Sequence, residues 1–429
     1  MLNDTIIRAY TDILKEELLP AMGCTEPIAI AYAASILRDA LEAEPDVIRA
    51  GFSGNIIKNI KSVIVPATCG MKGAEVALAA GIIANAYRKQ LEVLCGLSEN
   101  DRLRIRDYIN STKIDIYKIE TDSLFEVDIQ ASADNHVAHV RLSGGHTQIA
   151  LVERDGEDIT SRYITNCVRQ NDEDTPVTDR SLLNVEDIVD FADTVDLTEL
   201  RPYIQRQIDL NMAIAEEGLG AHWGASIGRL LFNEGNCDTR ARARAYAAAA
   251  SDARMSGCEL PVCILSGSGN QGITASVPVV VYAKDIGADE ETTIRALIVS
   301  DLITLHQKTG IGCLSAYCGA ISAGCGCGTG ICYLLGGRYR EIAHTLVNSV
   351  AILSGTICDG AKPSCAAKIA MAVEAGIMGY DMFRAGQQFR GGDGIVSKGV
   401  ENTIKNIGRL ARNGMKSTDK EIIDIMLEI

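Results

Sequence analysis

Apolar side chains at the start of the chain recur on a helical period. Ile6, Ile7, Tyr10, Ile13, Leu14 and Leu18 fall on one face, and Pro20 closes the run. The loop Ala21-Met22-Gly23-Cys24-Thr25-Glu26-Pro27 then leads into a second helix over 28–41. Residues 46–68 alternate short apolar stretches with Gly and Asn, and 72–94 reads as an alanine-rich packed helix.

Beyond residue 96 the pattern changes. Asn100-Asp101 caps a charged helix that runs to Tyr108. Apolar positions then alternate with polar ones over 125–129 and 137–142, with Asp134-Asn135 as the turn between them. Ser143-Gly144-Gly145 breaks the alternation, and 149–152 supplies a further strand that ends at Asp155-Gly156. From about residue 185 the chain is helical again and rich in Ala and Gly. These periods predict an α+β protein. Residues 1–95 and 200–429 are expected to form one mainly helical, Gly/Ala-rich discontinuous domain. Residues 96–199 form a small α+β insertion with an antiparallel β-meander. Ser53-Gly54-Asn55 and Ser268-Gly269-Asn270 each precede an apolar, proline-containing stretch. Chance explains that echo, and so does a pseudo-symmetric pair of Gly-Asn loops.

Composition sharpens the picture. With 40 glycines and only 5% aromatic residues, the chain suits helices packed through small side chains and not a β-sandwich. A net charge of −15 with no Lys/Arg block argues against a nucleic-acid partner. The N-terminus lacks the basic and apolar regions of a signal peptide. No apolar run reaches the roughly 20 residues of a spanning helix. A cytoplasmic protein without a membrane partner is therefore expected. In a reducing compartment the 14 cysteines are buried fillers, reactive thiols or metal ligands.

Cysteines concentrate in Gly312-Cys313-Leu314-Ser315-Ala316-Tyr317-Cys318-Gly319 and in Cys325, Cys327 and Cys332 just after it. A second group is Cys358-Asp359-Gly360-Ala361-Lys362-Pro363-Ser364-Cys365. Cys358 and Cys365 can converge from one loop around Gly360 and Pro363, with a third thiolate coming from elsewhere. Cys325, Cys327 and Cys332 read equally well as core fillers. Spacing alone leaves an iron–sulfur cluster, a zinc site and no metal all open, although the paired C-x₂-C knuckles of zinc sites are missing.

Gly23-Cys24-Thr25-Glu26-Pro27, Ser53-Gly54-Asn55, Ser266-Gly267-Ser268-Gly269-Asn270-Gln271-Gly272 and Cys358-Asp359-Gly360-Ala361-Lys362 resemble the signatures of the L-cysteine desulfidase family. The C-terminal half is similar to the α domain of iron–sulfur L-serine dehydratases. The likeness extends from Cys24 to the Gly391-Gly392-Asp393-Gly394-Ile395-Val396 stretch. It implies a [4Fe–4S] cluster held by Cys318, Cys358 and Cys365, with one iron free of a permanent protein ligand. Cys358 and Cys365 stand closer together than their serine dehydratase counterparts. The implied activity is α,β-elimination of L-cysteine to pyruvate, ammonia and sulfide. L-serine dehydration at the same cluster and a non-enzymatic iron–sulfur protein are the alternatives.

If the chain acts on a small amino acid, other residues take candidate roles. Cys24 is a base or temporary fourth cluster ligand, its thiol expected to be acidified by the following helix, or it only packs at a helix start. Ser53, Asn55, Ser268 and Asn270 hold the carboxylate and ammonium of a small amino acid, or cap turns. Lys362 pairs with that carboxylate or lies solvated in its loop. His146, in Gly144-Gly145-His146-Thr147-Gln148-Ile149, resembles a His-Thr element of the serine dehydratases and reaches the active site, or else is a surface turn histidine. A homodimer is compatible with the sequence, which leaves the oligomeric state open.

Overall fold

Glycine decides how the C-terminal helices meet. The Gly319–Leu334 helix carries glycine at 324, 326, 328 and 330. A Cβ on Gly324 or Gly328 would stand 2.4 Å from the carbonyl oxygen of Ala372 or Gly376, both on the Cys365–Arg384 helix. A Cβ on Gly326 or Gly330 would stand 2.5 or 2.8 Å from the carbonyl oxygens of Ser300 and Ala296, on the Glu290–Ile311 helix. Glycines four apart thus face the same neighbour, and the helix is held between two others at backbone contact. Cys325, Cys327 and Cys332 are buried in that contact as small fillers. The Arg201–Gly220 and Thr239–Met255 helices approach in the same way, at Gly218 over Ala249.

The structure, a computed structural model, describes residues 2–164, 178–233, 238–312 and 314–427. Cys313, in the first cysteine-rich stretch, lies outside them. The α+β expectation holds: the protein is mainly helical with two small sheets. Asp4–Glu17 is the first helix, capped by Asn3, whose Oδ1 accepts from Ile6 N at 2.9 Å. The second helix is Thr25–Leu41, three residues longer at its start than the apolar period suggested. Pro27 is tolerated there because it falls in the first turn, where its missing N–H has no partner to lose. The alanine-rich helix is shorter than expected. It spans Ala74–Ala84, ends at left-handed Asn85 (φ 44°), and is followed by a 3₁₀ turn at Tyr87–Glu92. The charged helix is Glu99–Ser111, and its cap is Ser98, completed by Asp101 in a capping box, instead of Asn100-Asp101.

Strands β1 (Pro20–Met22), β2 (Val47–Phe52), β3 (Lys113–Lys118), β4 (Glu126–Ala133), β5 (His136–Ser143), β6 (Ile149–Arg154), β7 (Glu157–Asp158) and β8 (Pro261–Cys263) form the two sheets. The larger has the order β3-β2-β4-β5-β6-β7. Strands β4 to β6 are the expected antiparallel meander, and the two-residue β7 extends it. Asp134 and Asn135 turn it with φ of 48° and 69°, as a two-residue hairpin of this twist requires. Between β3 and the meander lies β2, parallel to β3 and antiparallel to β4. The sheet therefore recruits a strand from the N-terminal region, and it packs on the Thr25–Leu41 helix. The second sheet pairs β1 with β8, Ala21 opposite Val262. That pairing fixes the loop after Met22 against the C-terminal half. Among the described residues no helix is long and apolar enough to cross a membrane.

One buried carboxyl makes stability pH-dependent. Asp301 is fully buried, accepts from Gln207 Nε2 at 3.0 Å, and leaves Oδ2 without a partner. Burial pushes its pKa up to about 7. A folded pKa above the unfolded one means the unfolded chain releases its proton first. This group therefore costs stability progressively as pH rises from about 4 to about 7. Asp301→Asn is expected to flatten that slope. Urea midpoints measured across this range would show it, and an unchanged slope would place the dependence elsewhere.

Candidate active site

Four helix N-termini meet at one cavity of about 100 Å³. Cys24 precedes Thr25–Leu41, Ser268 precedes Gly269–Ile286, Cys318 precedes Gly319–Leu334, and Cys365 is the first residue of Cys365–Arg384. All four residues line the cavity, and no side chain caps any of the four helices. First-turn N–H groups without intrahelical partners, with the dipoles behind them, favour negative charge at that point.

Local backbone rules bring the residues there. Gly23 adopts φ +65°, and a Cβ on it would stand 2.2 Å from Pro66 Cγ, so the turn into Cys24 requires glycine. Tyr317 and Ile357 form an isolated antiparallel bridge. Around it Cys318 N donates to Thr356 O at 3.0 Å and Cys358 N donates to Ala316 O at 2.7 Å. This clamp sets the two thiols side by side, close enough that each shifts the acidity of the other. Gly360 turns the loop onward with φ +94°, and a Cβ there would stand 2.3 Å from Lys58 O. Cys365 follows, its thiol 3.8 Å from Gly360 O. The structure thus brings Cys318, Cys358, Cys365 and Cys24 to one cavity.

The thiols are not equivalent. The neighbouring Cys318 thiol, then Lys58, the Gly360 N–H and Lys362, hold Cys358 below the ordinary thiol range despite burial. Cys318 is raised correspondingly by that partner and by burial. Cys365 is raised by burial. Cys24 was expected to be acidified by its helix, and the structure reverses this. Burial, reinforced by Glu26, pushes its thiol well up. Its Sγ donates to Glu26 Oε2 at 3.1 Å, and Thr25 Oγ1 donates to Gly267 O at 3.0 Å.

Of the other residues singled out in the sequence, Ser268 and Asn270 line the cavity, and Asn270 Oδ1 is buried without a partner. His146 lies beside it. Its ring packs edge-on against Phe125 at 4.8 Å, its Nε2 is buried and unpartnered, and Gly267 is close enough that a Cβ there would stand 3.1 Å from Cε1. Burial lowers its pKa, so the ring is neutral at physiological pH. Ser53, Asn55 and Lys362 are placed off the cavity wall. Ser53 Oγ donates to Leu124 O at 3.1 Å and accepts from Glu126 N at 3.1 Å, joining β2 to β4. Asn55 Nδ2 donates to Asp419 Oδ2 at 2.8 Å. Lys362 Nζ donates to Asp359 and to Gly360 O.

The cavity also contains residues given no role from the sequence. Glu26 and Gln271 sit inside quoted motifs, and Gln271 Oε1 is buried without a partner. Lys58 and Lys368 bring cations paired to Asp419 and Asp359, each at 2.6 Å. Arg254 ends an alanine-rich helix, where a basic residue reads as a complement to the helix dipole and gives no functional signal.

The donor set is soft and anion-seeking, which fits a thiolate-bound iron–sulfur group. Among the described residues no three His, Cys, Asp or Glu side chains close on one point as a single metal ion requires. The three thiols instead share the wall of a larger space.

Comparison with known proteins places the chain among relatives. The family model described as serine dehydratase alpha chain matches residues 88–424. A UPF0597 protein of Desulfitobacterium hafniense is 52% identical over 99% of this chain and 97% of its own. UPF0597 proteins of Treponema denticola and Lachnoclostridium phytofermentans are each 44% identical, covering 98% and 97% of this chain and 97% and 98% of their own.

Proposed function

Because the chain belongs to the serine dehydratase alpha chain family, we propose that it is an amino-acid α,β-lyase. In this reading Cys318, Cys358 and Cys365 hold a [4Fe–4S] cluster and L-cysteine is the substrate, converted with water to pyruvate, ammonia and sulfide. The observation that carries it is the meeting of those three thiols with four uncapped helix N-termini around one small cavity. When bound, the cluster supplies a Lewis-acidic iron for the substrate's β-heteroatom.

The chain's own groups handle the rest. Asn270 Oδ1 and Gln271 Oε1 are buried acceptors without partners, suited to an α-ammonium. Cys24 is protonated at rest and hydrogen-bonded to Glu26. Cys24 and the Glu26 carboxylate to which its thiol donates form a proton relay at the cavity wall, through which the substrate's α-proton leaves. Neutral His146, behind the Gly267 loop, is placed to support proton movement there. L-cysteine is favoured over L-serine by the Gly23–Pro27 loop, which resembles the desulfidase signature and lies outside the span matched by the serine dehydratase family.

The test is anaerobic purification with iron and acid-labile sulfide analysis, alongside pyruvate formation from L-cysteine and from L-serine. Cluster together with faster turnover of L-cysteine is expected. Faster turnover of L-serine would reassign the leaving group, and cluster without pyruvate from either would leave an iron–sulfur protein that is not a lyase.

A further inference from the structure

The cavity holds a buried cation that no salt bridge neutralises. Arg254 is only 2% exposed and lines the cavity. Among the described residues it makes no ion pair and donates no hydrogen bond, and its Nε is buried without a partner. Lys58 and Lys368, on the same cavity, have carboxylates of their own. Glu26 acts on Arg254 through its charge, but its Oε2 accepts from Cys24 and Thr25 and it forms no salt bridge with the guanidinium. Burial lowers the pKa of Arg254, but a guanidinium does not give up its proton in a protein. A desolvated, unpaired charge of this kind is costly unless an anion joins it.

Packing fixes where that anion must sit. A Cβ on Gly269 would stand 2.4 Å from Arg254 Nε and 2.7 Å from its Cζ, so the guanidinium lies against the first turn of the Gly269–Ile286 helix. Arg254 lines the cavity, so its remaining guanidinium N–H groups and the uncapped first turn of this helix are donors from which one small planar anion would accept. The buried acceptors Asn270 Oδ1 and Gln271 Oε1 belong to the same turn. Opposite charges are thus received side by side, as the α-carboxylate and α-ammonium of one amino acid would be.

We propose that Arg254 anchors the α-carboxylate of the substrate and makes that group a condition of binding. The identity of the ligand as an α-amino acid rests on the lyase reading above. The site as a carboxylate receptor does not.

The experiment uses anaerobic holoenzyme and two probes that share a thiol. 3-Mercaptopropionate keeps the carboxylate and lacks the ammonium; cysteamine keeps the amine and lacks the carboxylate. Calorimetry on the wild-type protein is expected to show 3-mercaptopropionate binding more tightly than cysteamine. Arg254→Gln should weaken 3-mercaptopropionate on the order of 100-fold, raise KM for L-cysteine far more than it lowers kcat, and leave cysteamine binding and iron content unchanged. Arg254→Lys should fall between. Gly269→Ala, which forces the guanidinium from its place, should repeat the loss if Arg254→Gln does not fold. Unchanged 3-mercaptopropionate affinity in either variant, or loss of iron from Arg254→Gln, overturns the proposal. If the wild type makes no pyruvate yet shows Arg254-dependent binding of 3-mercaptopropionate, the lyase reading fails and the anchor stands.

Discussion

Cys358→Ala protein purified without oxygen is expected to lose iron, visible absorption and lyase activity together. The fall in activity should exceed the roughly 100-fold typical of losing an outer-shell partner of a metal site. Cys358 is the thiol held most acidic, by the neighbouring Cys318 thiol and by Lys58 and Lys362, and metal binding selects thiolates. Alanine leaves the Tyr317–Ile357 bridge intact, because the clamp runs through backbone N–H and carbonyl groups. The fold should therefore survive, with unchanged circular dichroism. A Cys358→Ala protein that keeps full iron would remove Cys358 from the ligand set.

Cys24→Ala is the contrasting case. Its thiol lies on the same wall but is protonated and bonded to Glu26, so iron should stay while turnover falls. A pair of variants that part in this way separates holding the cluster from moving a proton.

Much of the scaffold was legible along the chain because its signals are local. The meander followed from alternation over β4 to β6 and from Asp134-Asn135, whose left-handed backbone is a property of those residues. Strand β2 was not legible. Its exposed positions are Val47 and Arg49, its buried ones include Ala50 and Gly51, and the small Gly51 is there to admit the Tyr117 ring from β3. That contact exists only after folding. The three cysteines now proposed as ligands were named through resemblance, and the Tyr317–Ile357 bridge that joins two of them spans forty positions. The acidity of Cys24 was misjudged because a helix N-terminus is visible in sequence and the depth of burial is not. Arg254 gave no signal for the same reason, since an arginine closing an alanine-rich helix belongs on the surface unless the surrounding packing encloses it.

Asp419→Ala is expected to cost about 3–5 kcal/mol of stability, as breaking one side of a buried ion pair does. Lys58 is 1% exposed. Its Nζ meets Asp419 Oδ1 at 2.6 Å, while Asn55 Nδ2 holds the other carboxylate oxygen at 2.8 Å. Alanine would leave that ammonium buried at the edge of a cavity already furnished with helix N-termini and Arg254. The damage should reach the site, because Lys58 O lies against Gly360 in the loop between Cys358 and Cys365. The Lys416–Leu427 helix that carries Asp419 also packs on Gly54 through Ile423, so its loosening should be visible as faster amide exchange over both segments. The urea midpoint should fall with the slope unchanged. Asp419→Asn, which retains a hydrogen-bonding oxygen without the charge, should lose less. Lys58→Met combined with Asp419→Leu should recover most of the stability, since a matched apolar pair removes the stranded charge, but not the acidity that Lys58 lends to Cys358. A cost below about 1 kcal/mol for Asp419→Ala, the range of an exposed pair, would mean that Lys58 finds another anion in the cavity.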